Sequence, residues 1–336
     1  MKKLPIFAQL RDAQDRRISY LRVSVTDRCN YACTYCVPEG GVPAVCQSAL
    51  LRFEEITRLV TLFAKMGVRR VRLTGGEPTI RKNIVELVGL ISAVDGIEEV
   101  AMTSNAHLLE TMAQPLAAAG LSSVNVSLDT LDPGPFTAIT VRGDIARVIR
   151  GIEAAVAAGL RVSTNAVAIK GLNDHDLASL CQFAWERGAM PRFIEHMPMS
   201  GGDAFASQDH LSATEIRKSL AEELGEELHA VKGNLGRGPA QYWQVGESDQ
   251  RFGIISAMSE HFCSTCNRVR LSATGHLHTC LAHDDTSDLR ALLRSGANDA
   301  VIHDAIVHAL SIKRDGHEFQ LSGAGGPRKH MISIGG

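Results

Sequence analysis

Leu21-Arg22-Val23-Ser24-Val25-Thr26 runs through Asp27-Arg28 into Cys29-Asn30-Tyr31-Ala32-Cys33-Thr34-Tyr35-Cys36, and this stretch decides how the chain is read. In its first half Leu21, Val23 and Val25 are apolar and alternate with Arg22, Ser24 and Thr26. Side chains on a strand point to opposite faces with a period of two, so the polar set shares one face. In its second half three cysteines stand in the spacing C-x3-C-x2-C. A zinc ribbon wants two C-x2-C pairs and a redox dithiol wants one. Three thiolates packed this closely suit an iron–sulfur cubane with one iron left open, since such a cluster normally takes four. An open coordination site separates a reactive metal centre from a structural one. The plainer alternative is a zinc site or buried free thiols.

The alternation recurs. Val71 and Leu73 alternate with Arg72 and Thr74, and Val124, Val126 and Leu128 with Asn125, Ser127 and Asp129. Runs rich in β-formers at 21–26, 70–74, 98–103, 123–128, 161–169 and 191–196 are separated by amphipathic stretches at 53–66, 84–94, 108–119, 145–158 and 176–187. Repeated β–α units predict a parallel sheet with helices against its apolar face. Six such units fall short of the eight of a closed barrel. The expected fold is therefore α/β, an incomplete (β/α)6 TIM-type barrel. Its polar faces then point inwards, and a polar lumen is a cavity for a polar ligand. The cysteine loop leaves the first strand where β/α barrels place their chemistry.

After residue 200 the pattern changes. Gly201-Gly202-Asp203 opens an irregular stretch, a helix is expected at 213–224, and 233–239 is a glycine-rich loop. A hairpin at 242–245 and 252–256 follows, and a helical region covers 287–313. A boundary within 230–240 gives a core domain at 15–235 and a smaller α+β domain at 236–336.

The 336 residues carry a formal net charge of −2, so no global field favours nucleic acid, and an anionic ligand needs local arginines. Residues 1–17 carry charges throughout and no apolar run of signal-peptide length. No segment approaches the length of a membrane span. The expectation is a cytoplasmic protein with no membrane partner, where clustered cysteines point to metal rather than disulfides. Six of the eight cysteines fall into two groups; Cys46 and Cys181 stand alone and read as small apolar or loop residues.

The second group, Cys263, Cys266 and Cys280, again has three members. A zinc knuckle completed by His261, His276, His278 or His283 is one reading, and a second open cluster the other. Arg268 and Arg270, on alternate positions of an expected strand at 268–272, favour the second. Two guanidiniums on one face make an anion clamp suited to phosphate, although an exposed charged strand face would look the same. Gly75-Gly76-Glu77-Pro78 follows the second strand; glycines there let backbone approach a ligand closely, or simply form a tight turn.

The cysteine octet with Tyr35 resembles the radical S-adenosylmethionine superfamily, and Gly75–Pro78 resembles that superfamily's loop at the methionyl amino group. Nearly the whole chain resembles the GTP 3′,8-cyclase family of molybdenum cofactor biosynthesis. The resemblance is carried by the stretches 21–36, 73–78, 127–132, 170–174 and 192–195, by Phe262-Cys263-Ser264-Thr265-Cys266-Asn267-Arg268-Val269-Arg270-Leu271, and by the closing Ile334-Gly335-Gly336. It departs from the family's commonest wording at Val37 and at Val162-Ser163-Thr164, neither a proposed ligand.

The resemblance implies two [4Fe-4S] clusters, one on Cys29, Cys33 and Cys36 and one on Cys263, Cys266 and Cys280. It implies S-adenosylmethionine at Tyr35, Gly76, Ser127 and Met197. GTP is implied at Arg22, Arg72, Thr103, Lys170, Arg268, Val269 and Arg270, with Arg192 a further phosphate ligand. Gly335 and Gly336 would reach the reaction centre beside Arg268 and Arg270. Without the family, Met197 reads as core, Lys170 as a solvated loop residue and the glycines as a fraying end. The implied partners are GTP, an external electron donor, and cyclic pyranopterin monophosphate synthase as the enzyme that takes the product; a homodimer is left open. The rival readings are a peptide-modifying enzyme with two clusters, which normally carries more cysteines, and a non-catalytic metal-binding module, which has no need of a polar lumen.

Overall fold

The computed structural model describes residues 8–38, 40–43, 45–200, 205–232 and 238–335. Gly336, the stretch Gly201-Gly202-Asp203 and residues 233–237 of the glycine-rich loop lie outside the described residues. In chain order the first part comprises β1 (Tyr20–Ser24), α1 (Phe53–Lys65), β2 (Arg70–Thr74), α2 (Ile84–Ser92), β3 (Glu99–Ser104), α3 (Leu109–Ala118), β4 (Leu121–Ser127), α4 (Pro133–Thr140), α5 (Ile145–Ala157), β5 (Arg161–Ala168), α6 (Leu177–Glu186) and β6 (Met190–Glu195). The second part adds α7 (Ala213–Leu224), β7 (Leu228–Ala230), β8 (Gln241–Val245), β9 (Arg251–Ile255), β10 (Arg268–Leu271), β11 (His276–His278), β12 (Ser287–Asp288), α8 (Leu289–Arg294), α9 (Asp299–Ser311) and α10 (Met331–Ile334).

The first six strands fall within two residues of the expected runs. Each helix between them is amphipathic: in α1, Ile56, Leu59, Val60 and Phe63 repeat at helical spacing and are buried, as are Leu21, Val23, Val71 and Leu73 on the strands. All twelve strands form one sheet in the order β12-β11-β10-β1-β2-β3-β4-β5-β6-β9-β8-β7. The strands β1 to β6 run parallel and in sequence. β10 adds in parallel beside β1, and β9 in parallel beside β6, so the second part of the chain occupies both edges of the parallel sheet. Among the described residues no hydrogen bonds join β12 to β7, so backbone pairing does not close the sheet.

Register sets the polar face. Arg22 is paired with Arg72 on one side and Arg270 on the other, which lines three guanidinium side chains across adjacent strands. Ser127, Asn165 and Arg192 are aligned in the same way across β4, β5 and β6.

Two expectations needed correction. The helical region at 287–313 is two helices, because Gly296 takes a left-handed φ of 81° and the Asn298 side chain then caps α9 by accepting from Val301 N. Helix α4 was not expected, since Gly134 and the β-branched Thr137, Ile139 and Thr140 are weak helix formers. It forms because the Asp132 carboxylate caps it and Phe136, Ile139 and Thr140 are buried. No helix of the described residues is long and apolar enough to cross a membrane.

Candidate active site

One cavity lies against the polar face of the sheet. It is lined by side chains from β1 to β6 and from β9 and β10, including Arg22, Arg72, Thr103, Ser127, Arg192 and Arg270. Tyr35, Met197 and Arg268 complete the set of sequence-derived residues found there. Its lining includes Tyr35, next in sequence to Cys36, and Phe262 and Leu281, next to Cys263 and Cys280; Cys33 also feels the lining residue Asp129, and Cys266 and Cys280 act on the lining residue Arg270, so both cysteine groups lie beside this space. Of the residues expected to contact S-adenosylmethionine or GTP, three do not line it. Lys170 is exposed, with its backbone N–H on Asp209. Val269 is buried on the opposite face of β10. Gly76 packs against the Arg28–Cys29 backbone where the cysteine loop begins.

Gly76 has a packing reason for being glycine. Its N–H donates to Thr26 O at 2.8 Å, and the following Glu77 N–H donates to Arg28 O at 2.8 Å. A Cβ at residue 76 would overlap the Arg28 carbonyl and lie 2.9 Å from Cys29 N. Close approach of these two backbones fixes the start of the cysteine loop. The Glu77 carboxylate continues the support, accepting from Thr79 N (3.0 Å), Thr79 Oγ1 (2.6 Å), Ser104 Oγ (2.8 Å) and Asn105 N (2.7 Å). The Asn105 amide in turn reaches Asn30 Oδ1 at 2.9 Å. From the other side α4 holds the loop, its Thr140 and Ile139 carbonyls accepting from Ala32 N and Thr34 N.

Burial pushes the Cys29 thiol up to about 11 and the Cys36 thiol up to about 12, and also raises Cys33. Cys33 also feels the charges of Cys36 and Cys29, and Cys36 that of Cys29. A site that disfavours isolated thiolates this strongly suits a group that brings positive charge. Among the described residues no three Cys, His, Asp or Glu side chains converge tightly enough for a single metal ion. Thiols spread along a loop fit a cluster whose ligands sit on separate irons. The trio therefore fits a [4Fe-4S] cluster.

The second group tests the zinc alternative. His261 pairs with His317 at 2.8 Å, His276 with Thr274 at 3.1 Å, and His283 with the Gly316 carbonyl at 2.8 Å. Three of the four expected fourth ligands are thus engaged elsewhere; the remaining one, His278, keeps a buried Nδ1 without a partner but joins no three-ligand group among the described residues. Burial raises Cys280; at Cys266 burial acts in the same direction but Lys313 and Arg268 outweigh it and hold the thiol low. This set also fits a cluster with one open iron better than a closed zinc site.

The cavity is strongly cationic. Among the described residues Arg22, Arg72, Arg192, Arg268 and Arg270 line it with Asp129 and Glu195 as its carboxylates, while Arg70 is paired with Glu99 at 2.8 Å. Glu195 is already saturated by Ala213 N (2.7 Å), Met258 N (2.6 Å), Ser259 N (2.8 Å) and Ser259 Oγ. Asp129 accepts from Tyr35 OH and Val167 N, both at 2.8 Å. Burial, then Arg270, holds Arg22 well below the usual arginine range, and burial with Arg268 lowers Arg270 to about 10. Arg192 has Nε and Nη2 buried without a partner among the described residues. Buried donors left in this state mark a place for an anion. Arg72, by contrast, donates to Tyr20 OH and to Met102 O, so part of its role is structural.

Gly335 is held inside this region. Its carbonyl accepts from Arg270 Nη1 at 2.7 Å and from Thr74 Oγ1 at 3.4 Å. The backbone N–H of Ile332 interacts with the Cys36 sulfur, so α10 contacts the first cysteine loop. Sequence reasoning did not single out Glu77, Asn105, Asn165 or Glu195 as site residues. It read Asp129 as one of an alternating polar set and missed its bond to Tyr35.

Comparison with known proteins follows the same division. Residues 23–184 match the model of the radical SAM superfamily, and residues 190–319 that of Molybdenum Cofactor Synthesis C. The GTP 3′,8-cyclase of Caulobacter vibrioides is 44% identical over 329 residues, covering 97% of this chain and 93% of that protein. The GTP 3′,8-cyclase of Heliobacterium modesticaldum is 44% identical over 326 residues, covering 97% and 99%. Among solved structures, Streptococcus suis SuiB bound to S-adenosylmethionine superposes with a TM-score of 0.62 at 17% identity, over 85% of this chain and 67% of that one, a likeness of fold alone. Paired with two cysteine trios on one arginine-lined cavity, full-length identity at this level leaves one assignment: the chain belongs to the GTP 3′,8-cyclase family of the radical SAM superfamily.

Proposed function

We propose that this chain converts GTP into (8S)-3′,8-cyclo-7,8-dihydroguanosine 5′-triphosphate, the first step of molybdenum cofactor biosynthesis, using S-adenosylmethionine and two [4Fe-4S] clusters. The observation that carries the reading is that both cysteine groups border one cavity whose cations outnumber its anions. Cys29, Cys33 and Cys36 would hold one [4Fe-4S] cluster, which when bound would supply the electron for reductive cleavage of S-adenosylmethionine and so the chemistry that removes the ribose 3′ hydrogen. Cys263, Cys266 and Cys280 would hold the second, which would offer a Lewis-acidic site to the guanine.

The chain's own residues bind, orient and shield. Arg22, Arg192, Arg268 and Arg270 supply the charge that a triphosphate needs and that the net charge of the chain does not. The orphaned nitrogens of Arg192 favour a phosphate over a peptide in this space. Asp129 restrains the Tyr35 ring beside the third cysteine, and Ser127, Thr103 and Met197 offer hydroxyl and thioether contacts to the two substrates. Gly76 acts through backbone packing, Arg72 partly through Tyr20, and Lys170 and Val269 only through loop movement or backbone. Gly335, bonded to Arg270, and Gly336 complete the reaction centre.

The polar face lined from β1 to β6 supports an incomplete (β/α)6 barrel, with 15–235 as core domain and 236–336 as the smaller domain. The need for reduced thiolates favours a cytoplasmic site; reductive cleavage calls for an external electron donor, and the family relationship favours cyclic pyranopterin monophosphate synthase as the enzyme that takes the product.

Anaerobic incubation with dithionite, S-adenosylmethionine and GTP should yield 5′-deoxyadenosine and a cyclised nucleotide. Reconstituted protein should hold about eight irons, four per cubane. Alanine at Cys29, Cys33 and Cys36 should leave about four and end cleavage of S-adenosylmethionine; alanine at Cys263, Cys266 and Cys280 should also leave about four, with slow uncoupled cleavage possible. Stoichiometric zinc in the second site would refute the two-cluster reading.

A further inference from the structure

Lys313, Asp12 and Arg16 form a charged group, buried behind the second cysteine trio, that the substrate cavity does not use. The Lys313 side chain is 2% exposed and that of Asp12 0%. The Lys313 ammonium donates to Arg268 O at 3.1 Å and to Cys266 Sγ at 3.6 Å, and lies 3.7 Å from Asp12 Oδ2. Arg16 binds Asp12 Oδ2 through Nε at 2.7 Å. Its remaining nitrogens donate to Cys263 O (2.9 Å), Arg314 O (2.8 Å) and Asp315 O (2.5 Å). The same segment is tied to the end of α9 by Ala13 N to Leu310 O at 3.3 Å.

The charges in this group do not balance. Among the described residues Lys313 and Arg16 share the buried Asp12 carboxylate, Arg16 having besides it only the exposed Asp315 carboxylate at 3.8 Å, so the Lys313 ammonium is left with one ion pair at 3.7 Å, weak compensation for a charge taken out of water. The missing negative charge is available at Cys266, the sulfur the ammonium already touches. If Lys313 served packing alone, an apolar residue of similar length would fill the same space without that cost. We propose that Lys313 is a positioning residue for the second cluster: its ammonium fixes Cys266 as a ligand and favours the reduced form of the cluster, with Asp12 and Arg16 as the bracket that holds it. Positive charge and N–H···S contact beside a ligand sulfur both favour the more negative, reduced state. This inference rests on the two-cluster reading above.

The test uses the full chain with Cys29, Cys33 and Cys36 replaced by alanine, so that only the second cluster titrates. Iron content, melting temperature and the reduction midpoint, read by electron paramagnetic resonance during dithionite titration, are compared with and without Lys313→Met and Lys313→Arg. Lys313→Met should either shift the midpoint to more negative potential at unchanged iron, or lose iron that Lys313→Arg retains. A midpoint and iron content unchanged in Lys313→Met would overturn the proposal. Iron lost equally in both variants would assign Lys313 to packing and overturn it as well. Absence of iron from the triple-alanine background itself would instead remove the second cluster, and so identify the underlying reading as the failure.

Discussion

Gly335→Ala separates a working part of the active site from a merely docked segment. Gly335 has φ of 72°, a left-handed conformation that costs an L-residue roughly 1–2 kcal/mol. The added Cβ would also overlap Thr74 Oγ1 and lie 3.0 Å from Ser24 Cβ. Neither neighbour can swing away, because Thr74 and Ser24 are 1% exposed on central strands. Against this stands the hydrogen bond from Arg270 to the Gly335 carbonyl, worth roughly 1.5–3 kcal/mol as a charge-assisted contact. The strain and overlap together match or exceed it, so the backbone at residue 335 should leave its seat. Ile332 and Ile334 are buried and keep α10 docked, so the loss should stay local. Turnover should fall tenfold or more, a change of about 1.4 kcal/mol or above, while iron content and melting temperature stay at the parent values. Single-turnover formation of the cyclised nucleotide, measured beside GTP binding by equilibrium dialysis, gives the readout. Adding Thr74→Ala should relieve the overlap but not the backbone strain, and so restore part of the rate. Parent-like turnover in Gly335→Ala, or in a chain cut after Ile334, would refute the reasoning.

Removing one guanidinium from the clamp, as in Arg268→Ala, Arg270→Ala or Arg192→Ala, should weaken GTP binding roughly tenfold or more in dialysis with iron content unchanged, and parent-like affinity in all three would put the phosphates elsewhere. Glu77→Gln presents an amide to four donors that now meet a carboxylate, and should lower stability by roughly 2–4 kcal/mol in urea and deplete iron from the first trio; an unchanged melt would contradict the support assigned to Glu77. Burial raises Asp129 from 3.8 to about 6. The folded state therefore binds its proton more tightly, and this contribution is full below pH 4 and lost as pH rises through about 6, a change of about 3 kcal/mol. Asp129→Asn should flatten that part of the stability–pH curve, and identical curves for parent and variant would show that the carboxyl is not desolvated.

Alternation along single strands determined which face of the sheet is polar, and Arg22, Arg72, Ser127 and Arg270 all face the cavity as that period requires. The cysteine spacings pointed to metal ligation rather than disulfides, and all six clustered cysteines are free thiols. These features are local, carried by residues a few positions apart. Alternation names a face but not what stands opposite it, so pairing of β10 beside β1 and β9 beside β6, which brings the second trio to the cavity of the first, was decided only by tertiary structure. Helix α4 was decided in the same way: its intrinsic propensity is poor, and burial against the cysteine loop makes it. Gly76 was legible as important but for an incomplete reason, since its need for a bare backbone comes from Arg28, a neighbour in space that spacing cannot reveal. The sequence did not single out Lys313 or Asp12, because nothing local distinguishes a solvated lysine from one buried against a carboxylate 301 residues earlier in the chain (313 − 12). Burial is a property of the packed chain, and it is burial that turns these common residues into determinants of the site.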